Sequence, residues 1–178
     1  MNASFPGPRD HVHLQITSGD LAKSAAGLRT RRDGEEWLAA DYLSMLATAA
    51  PAFGSLLSRL ADGAVLPAVV HCLGGKDRTG MAIALLLSAL GVDRGTVLDD
   101  YELTSRCHAA RVPEVVEAFT RLGIGRPAGE ALMSTPRWAM AQALRELDQA
   151  HGGIRHYLLG PGGMSPQTLS ALGANLVG

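Results

Sequence analysis

The most specific chemical pattern in the chain is the segment His71–Gly80, which reads HCLGGKDRTG. It places a cysteine, Cys72, six residues before an arginine, Arg78. A cysteine thiolate is a strong nucleophile, and a planar guanidinium can bind two oxygens of one phosphate group. The spacing allows Arg78 to return across a loop toward the sulfur. The segment therefore predicts a loop that binds a phosphate monoester and attacks its phosphorus atom through Cys72.

The other loop residues have supporting roles. Gly74 and Gly75 allow the backbone to turn and to approach the phosphate oxygens closely. Together with Leu73 and Lys76 they form the predicted substrate-binding part of the loop, in which Lys76 supplies a second cation for substrates with additional negative charge. Thr79 is expected to hydrogen-bond the sulfur and to stabilise it as a leaving group.

The leaving oxygen of a phosphate monoester needs a proton from a general acid, and two aspartates compete for this role. Asp77 lies inside the loop and can reach the leaving oxygen directly. Asp20 lies on the turn after the first predicted strand, where a mobile acid loop would be found. Asp77 is favoured because it can reach the leaving oxygen from within the loop, and Asp20 is the alternative acid. Asp41 lies within a helical apolar pattern and is interpreted as a solvated helix residue.

The loop is expected to lie between a strand and a buried helix. The apolar run Ala64–His71, with three valines, predicts a buried strand that leads into Cys72. The apolar run Met81–Leu90 predicts a helix that ends at Gly91. A strand, a glycine loop and a helix in this order direct backbone N–H groups at one anion.

Elsewhere the pattern indicates one more strand and many helices. Alternating apolar residues in His11–Ile16 predict a strand, and the charged stretch Arg29–Gly34 is interpreted as a loop. Apolar spacing and capping residues predict helices from Trp37 to Ala49, Phe53 to Leu60, Thr96 to about Ala110, Val112 to Leu122, Thr135 to about Ala150, and after Ser165-Pro166.

Composition excludes several classes of protein. Hydrophobic residues make up 47% of the 178 residues, charged residues 19%, and the formal net charge is -1. These values are typical of a globular chain, and the near-neutral charge argues against a nucleic-acid partner. The N-terminus lacks a signal pattern, and no apolar run is long enough to span a bilayer. We therefore expect no integral membrane segment and a cytoplasmic location.

The cysteines and histidines do not form a metal-binding pattern. The two cysteines, Cys72 and Cys107, and the six histidines show neither CxxC nor HExxH spacing. Two cysteines without a signal peptide do not imply a disulfide framework. We expect free thiols and no metal site.

The string HCLGGKDRTG resembles the HCxxGKDRTG signature of the atypical bacterial tyrosine/serine protein phosphatases, which are themselves similar to phosphoinositide phosphatases. The similarity extends to the segments HVHLQI, LGVDRGTVLDDYELTS and HGGIRHYLLGPGGMSPQTLSAL. The resemblance implies an α/β fold with a central sheet flanked by helices and a helix-rich C-terminal half. It also implies a phosphocysteine intermediate, no cofactor, and phosphotyrosine, phosphoserine/threonine or phosphoinositide substrates. In this family the aspartate that matches Asp77 is expected to act as the acid.

The chain departs from the family pattern at its N-terminus. Neither an NFRDLGG-like motif nor a DLR-like motif appears before Asp10. We therefore expect a single phosphatase-like domain over residues 1–178 that lacks the first part of the family domain. Lost strands would expose a sheet edge, which a second copy of the chain could complete in an oligomer.

The loop has three alternative interpretations. A nucleotide-binding P-loop needs glycine at position 70 and serine or threonine after Lys76, whereas the chain has Val70 and Asp77. A sulfurtransferase or an arsenate reductase could use a cysteine in an anion loop, but the string KDRT does not indicate one. A phosphate-binding module without catalysis is the principal alternative to an enzyme.

Overall fold

The computed structural model describes residues 11–16 and 24–177, and this part of the chain is a bundle of helices. Short 3₁₀ turns cover Gly63–Val65 and Ala109–Arg111. The α-helices are α1 (Arg31–Thr48), α2 (Ala50–Leu60), α3 (Asp77–Ala89), α4 (Arg94–His108), α5 (Val112–Arg121), α6 (Arg126–Met133), α7 (Arg137–His151), α8 (Ile154–Leu159) and α9 (Pro166–Val177).

Helix α1 begins with a capping box. The Thr30 hydroxyl accepts a hydrogen bond from the Asp33 backbone N–H at 3.1 Å, and the Asp33 carboxylate accepts one from the Thr30 N–H at 2.8 Å. These two bonds satisfy backbone donors that a helix N-terminus leaves unpaired. The prediction of a loop over Arg29–Gly34 is wrong from Arg31 onward, because this cap starts the helix there.

Helix α1 lies at the centre of the described core and packs against α6 and α7. The contact with α6 is close, because a Cβ atom at Gly34 would lie 2.6 Å from the Ala128 carbonyl oxygen. Helix α2 packs against α8 and α9, and α3 packs against α4. The largest fully buried side chains are Leu38, Tyr42, Met45, Phe53, Leu57, Met81, Leu85, Ile124, Met140, Leu144, Tyr157 and Leu158.

The predicted central sheet is wrong for the part of the chain that is described. Residues 11–16 and 24–177 contain no β-strand, and His11–Ile16 and 66–71 have no regular secondary structure. A strand needs a neighbour for its backbone hydrogen bonds, and neither segment has one there. Val69, predicted to be buried, is 73% exposed. A second copy of the chain was expected to complete the sheet. Within these residues there is no strand for it to pair with.

Most helix predictions are confirmed. The break between α1 and α2 falls at Ala49, with Pro51 in the first turn of α2, and the Ser165 hydroxyl caps α9 by accepting from the Thr168 N–H at 3.0 Å. The short helices α6 and α8 were not predicted. Each has at most eight residues, which is too short for a clear apolar period. Within the described ranges, every helix is too short or too polar to span a lipid bilayer.

Candidate active site

The loop predicted from the sequence runs directly into the N-terminus of α3. Lys76 is the N-cap and Asp77 the first helical residue. Gly75 has φ +66°, a left-handed conformation that side chains disfavour, and its N–H donates to the Cys72 sulfur at 3.1 Å. The positive end of the helix dipole and the adjacent N–H groups thus face the cysteine.

The Cys72 sulfur lies in an environment that favours the thiolate. Burial raises the pKa of Cys72, but hydrogen bonds from the Thr79 side chain and from the N–H groups of Thr79, Gly75 and Lys76 lower it, and the net pKa lies below the usual value. The Thr79 hydroxyl is buried and makes no hydrogen bond of good geometry with any described group. The structure therefore brings Cys72, Gly75 and Thr79 close together.

Arg78 is partly buried in the first turn of α3. Among the described residues, no hydrogen bond or ion pair engages its guanidinium, which leaves the fork available for an anion. Leu73 and Gly74 lie at the rim of the loop, where Leu73 is 93% exposed and a Cβ atom at Gly74 would meet nothing within 4 Å.

The Lys76 side chain is turned inward. Its ammonium donates to Asp77 Oδ1 at 2.5 Å and to the Ser134 carbonyl oxygen at 3.1 Å, and the residue is only 5% exposed. The ion pair and the bond to Ser134 tie the first turn of α3 to the end of α6. The structure therefore places this cation beside Asp77, where it orients the carboxylate.

Two buried tyrosines that sequence reasoning did not assign to the site form a hydrogen-bonded chain that ends on Asp77. The Tyr42 hydroxyl donates to Asp77 Oδ1 at 2.7 Å, and the Tyr101 hydroxyl forms a short hydrogen bond with the Tyr42 hydroxyl. The pKa of both phenols is raised, mainly by burial, so both stay protonated. A Cβ atom at Gly80 would lie 3.0 Å from the Tyr101 ring, so glycine allows this approach.

The interpretation of Asp41 as a solvated helix residue is wrong. It is 8% exposed on α1. Burial raises its pKa to about 6, and the Asp77 carboxylate adds to this rise, while Arg78 and Lys76 oppose it. It lines a cavity of about 210 Å³ together with Trp37 and other residues of α1. The alternative acid, Asp20, lies outside the described residues.

The geometry indicates what the site can do chemically. A cysteine held by backbone N–H groups at a helix N-terminus, with an unpaired arginine in the first turn of that helix, can bind an oxyanion and attack it through sulfur. The hydrogen bonds around Cys72 stabilise the sulfur as a nucleophile, and the open guanidinium of Arg78 provides the group that binds the anion.

Comparison with known proteins identifies the family. A sequence model of the tyrosine phosphatase family matches residues 3–178, so the chain belongs to this family. The chain is 28% identical over 128 residues to the triple specificity protein phosphatase PtpB of Mycobacterium tuberculosis, covering 63% of this chain and 44% of that protein. It is 37% identical over 67 residues to a tyrosine-protein phosphatase of Nostoc commune, covering 36% and 22%. The chain thus spans less than half the length of these relatives.

Proposed function

We propose that the chain hydrolyses phosphate monoesters with Cys72 as the nucleophile. The observation that carries this proposal is the sulfur held by N–H donors and Thr79 at the start of α3, with a pKa below the usual value. The unpaired guanidinium of Arg78 supports it, because a bidentate arginine neutralises the equatorial oxygens during displacement.

In the first step, the Cys72 thiolate attacks phosphorus, the S–P bond forms, and the bond to the leaving oxygen breaks. Asp77 is the proposed acid that gives this oxygen its proton. Its Oδ1 is anchored by Lys76 and Tyr42, while no described residue hydrogen-bonds Oδ2. Oδ2 is therefore the oxygen that carries the proton to the leaving group.

In the second step, water attacks the phosphocysteine and the S–P bond breaks. The Asp77 carboxylate takes a proton from the attacking water, and the sulfur leaves as a thiolate. The buried Thr79 hydroxyl, which makes no other hydrogen bond among the described residues, supports this departure by donating to the sulfur. Arg78 holds the phosphate oxygens in both steps, while the loop N–H groups of Gly75 and Lys76 stabilise the sulfur.

Phosphotyrosine, phosphoserine/threonine and phosphoinositides are the proposed substrate classes. The names of the relatives support the first of these, since one is a tyrosine-protein phosphatase and the other a triple specificity protein phosphatase. The open rim around Leu73 supports access by a side chain displayed on a protein.

The test is phosphate release from phosphotyrosine peptides, phosphoserine/threonine peptides and phosphoinositides. We expect turnover of at least one class by the native chain and none by Cys72→Ser. Cys107→Ser is the matched control, because Cys107 is an exposed free cysteine on α4. Asp77→Asn and Asp20→Asn decide between the two acids, and loss of turnover in Asp20→Asn alone would move the role to Asp20.

One outcome would favour the principal alternative, a phosphate-binding module without catalysis. A folded native chain that binds vanadate or phosphate but releases no phosphate from any of the three classes would refute the enzyme proposal. Turnover that survives in Cys72→Ser would refute the phosphocysteine mechanism while leaving a phosphatase.

A further inference from the structure

Among the described residues, hydrogen bonds reach only one oxygen of the Asp77 carboxyl. Oδ1 accepts from the Tyr42 hydroxyl at 2.7 Å and from the Lys76 ammonium at 2.5 Å, and no described group donates to Oδ2. Because both contacts already direct a hydrogen atom at Oδ1, a proton on this carboxyl is carried by Oδ2. The two contacts can therefore stay in place whether Asp77 is protonated or ionised.

Helix α4 supports the first of these contacts through Tyr101. The Tyr42 hydroxyl has one hydrogen atom, and this atom is used on Asp77. In the hydrogen bond between the two tyrosines, the donor is therefore Tyr101, and both phenols are protonated because burial raises the pKa of each. Donation runs from Tyr101 through Tyr42 to Asp77 Oδ1. A hydroxyl that accepts a hydrogen bond is a stronger donor, so Tyr101 both orients and strengthens the bond from Tyr42.

The same face of α4 supports the second contact through Ser105. Tyr101 and Ser105 are four residues apart and so lie on one side of the helix. The Ser105 hydroxyl accepts from the Thr135 N–H at 2.9 Å and is also hydrogen-bonded to the Thr135 hydroxyl. These bonds fix the segment between α6 and α7, where the carbonyl oxygen of the preceding residue, Ser134, accepts from the Lys76 ammonium at 3.1 Å. The segment thereby holds the ammonium in place.

We propose that Tyr101 and Ser105 are positioning residues for the proposed acid, which they hold by Oδ1 of Asp77 through two separate routes. Oδ2 then stays free to carry the proton. In the first step of turnover the S–P bond forms, the bond from phosphorus to the leaving oxygen breaks, and this proton passes from Oδ2 to the leaving oxygen. The inference deepens the proposed function, and its role in turnover rests on that function.

A positioning role for the acid predicts an effect that depends on the leaving group. Phenolate is a strong base and needs the proton as its bond to phosphorus breaks, whereas 2,4-dinitrophenolate is stable as an anion and leaves without it. Phenyl phosphate and 2,4-dinitrophenyl phosphate present the same phosphate group to Cys72 and Arg78. Loss of the position of the acid should therefore slow hydrolysis of the first ester only, whereas general damage to the loop should slow both.

The experiment measures kcat/KM for both esters, because this ratio includes only the steps up to loss of the leaving group. We expect Tyr101→Phe to lower kcat/KM for phenyl phosphate about fivefold, as loss of one hydrogen bond implies, and to change the value for 2,4-dinitrophenyl phosphate by less than about twofold. Ser105→Ala, which acts through a longer route, should give the same selective loss at about threefold.

Tyr157→Phe is the matched control. Tyr157 is a buried tyrosine, 1% exposed, and its hydroxyl donates to the Leu46 carbonyl oxygen at 2.8 Å. This variant loses a buried hydroxyl, as Tyr101→Phe does, but no hydrogen bond in either route to Asp77. Its kcat/KM should stay within about twofold of the native value for both esters.

Equal losses on both esters in Tyr101→Phe, or no loss on either, would overturn the inference, and so would a selective loss in Tyr157→Phe. If Tyr101→Phe does not fold, Ser105→Ala decides by the same comparison. If the native chain hydrolyses neither ester, the ¹³C resonance of the Asp77 carboxyl decides. It should move in Tyr101→Phe and keep its native position in Tyr157→Phe, and an unmoved resonance in Tyr101→Phe would refute the positioning. Failure of the native chain to release phosphate from any ester refutes the proposed function separately.

Discussion

Replacing Asp41 by asparagine should stabilise the folded chain at alkaline pH. The pKa of this carboxyl rises from 3.8 to about 6 on folding, with burial as the largest cause. The folded chain therefore binds more protons than the unfolded chain between these values, and its stability falls as the pH rises through them. One pKa unit corresponds to about 1.4 kcal/mol, so the ionised carboxylate destabilises the folded chain by up to about 3 kcal/mol above pH 6.

The assay is urea unfolding of the native chain, Asp41→Asn and Asp100→Asn at about pH 4 and pH 8. Asparagine has nearly the same shape as aspartate but no charge, so any packing change is present at both pH values and cancels in the difference. We expect the advantage of Asp41→Asn over the native chain to grow by about 2 to 3 kcal/mol between pH 4 and pH 8. The Asp100→Asn control, at an exposed position on α4, should show no such growth. An advantage that is independent of pH would refute the reasoning.

Three further substitutions test the surroundings of the loop. Thr79→Ala removes a hydroxyl that lowers the pKa of Cys72, so the pH midpoint of Cys72 alkylation by iodoacetamide should rise; an unchanged midpoint contradicts the role of the hydroxyl. Tyr42→Phe removes one of two donors to Asp77 Oδ1, and we expect about 1 kcal/mol lower stability in urea and about tenfold slower phosphate release. Arg78→Lys keeps the charge but loses the planar fork, so kcat should fall about 100-fold or more, and a kcat near the native value would argue against bidentate binding.

Local sequence patterns were sufficient to predict the loop and most of the helices. The loop residues from Cys72 to Thr79 are consecutive, so a short turn followed by a helix places them together. Helices α2, α5 and α7 carry clear apolar faces with proline near their first turn or immediately before it. Each of these patterns spans only a few residues. The position of the helix can therefore be predicted from them without knowledge of distant parts of the chain.

Features that depend on distant parts of the chain were not predictable in the same way. Tyr42 and Asp77 are 35 residues apart, and Tyr42 and Tyr101 are 59 apart. The helical spacing of apolar residues in α1 indicated that Tyr42 is buried. It did not indicate that the Tyr42 hydroxyl contacts Asp77 in the loop. Asp41 was interpreted as solvated because a carboxylate on a helix usually faces water. Its burial follows from the packing of neighbouring elements against α1, which only the packed structure contains.

The predicted strands failed for a related reason. A valine-rich run such as Ala64–His71 has the composition of a strand, but composition does not provide the neighbouring strand that a sheet requires. In the described residues this run begins in a 3₁₀ turn and continues without regular structure up to the loop. The site is nevertheless formed, because the N-terminus of α3, the Tyr42 hydroxyl and the Ser134 carbonyl together position it.

The most direct test of the proposed chemistry is to trap the covalent intermediate. The native chain is mixed with a ³²P-labelled phosphotyrosine peptide, quenched in acid within milliseconds, digested and analysed by mass spectrometry. We predict a phosphate bound to the Cys72 sulfur in the native chain and in Cys107→Ser, and none in Cys72→Ser. Phosphate release by the native chain with no label on Cys72 at any quench time, or a label that persists in Cys72→Ser, would contradict the assignment of this sulfur as the nucleophile.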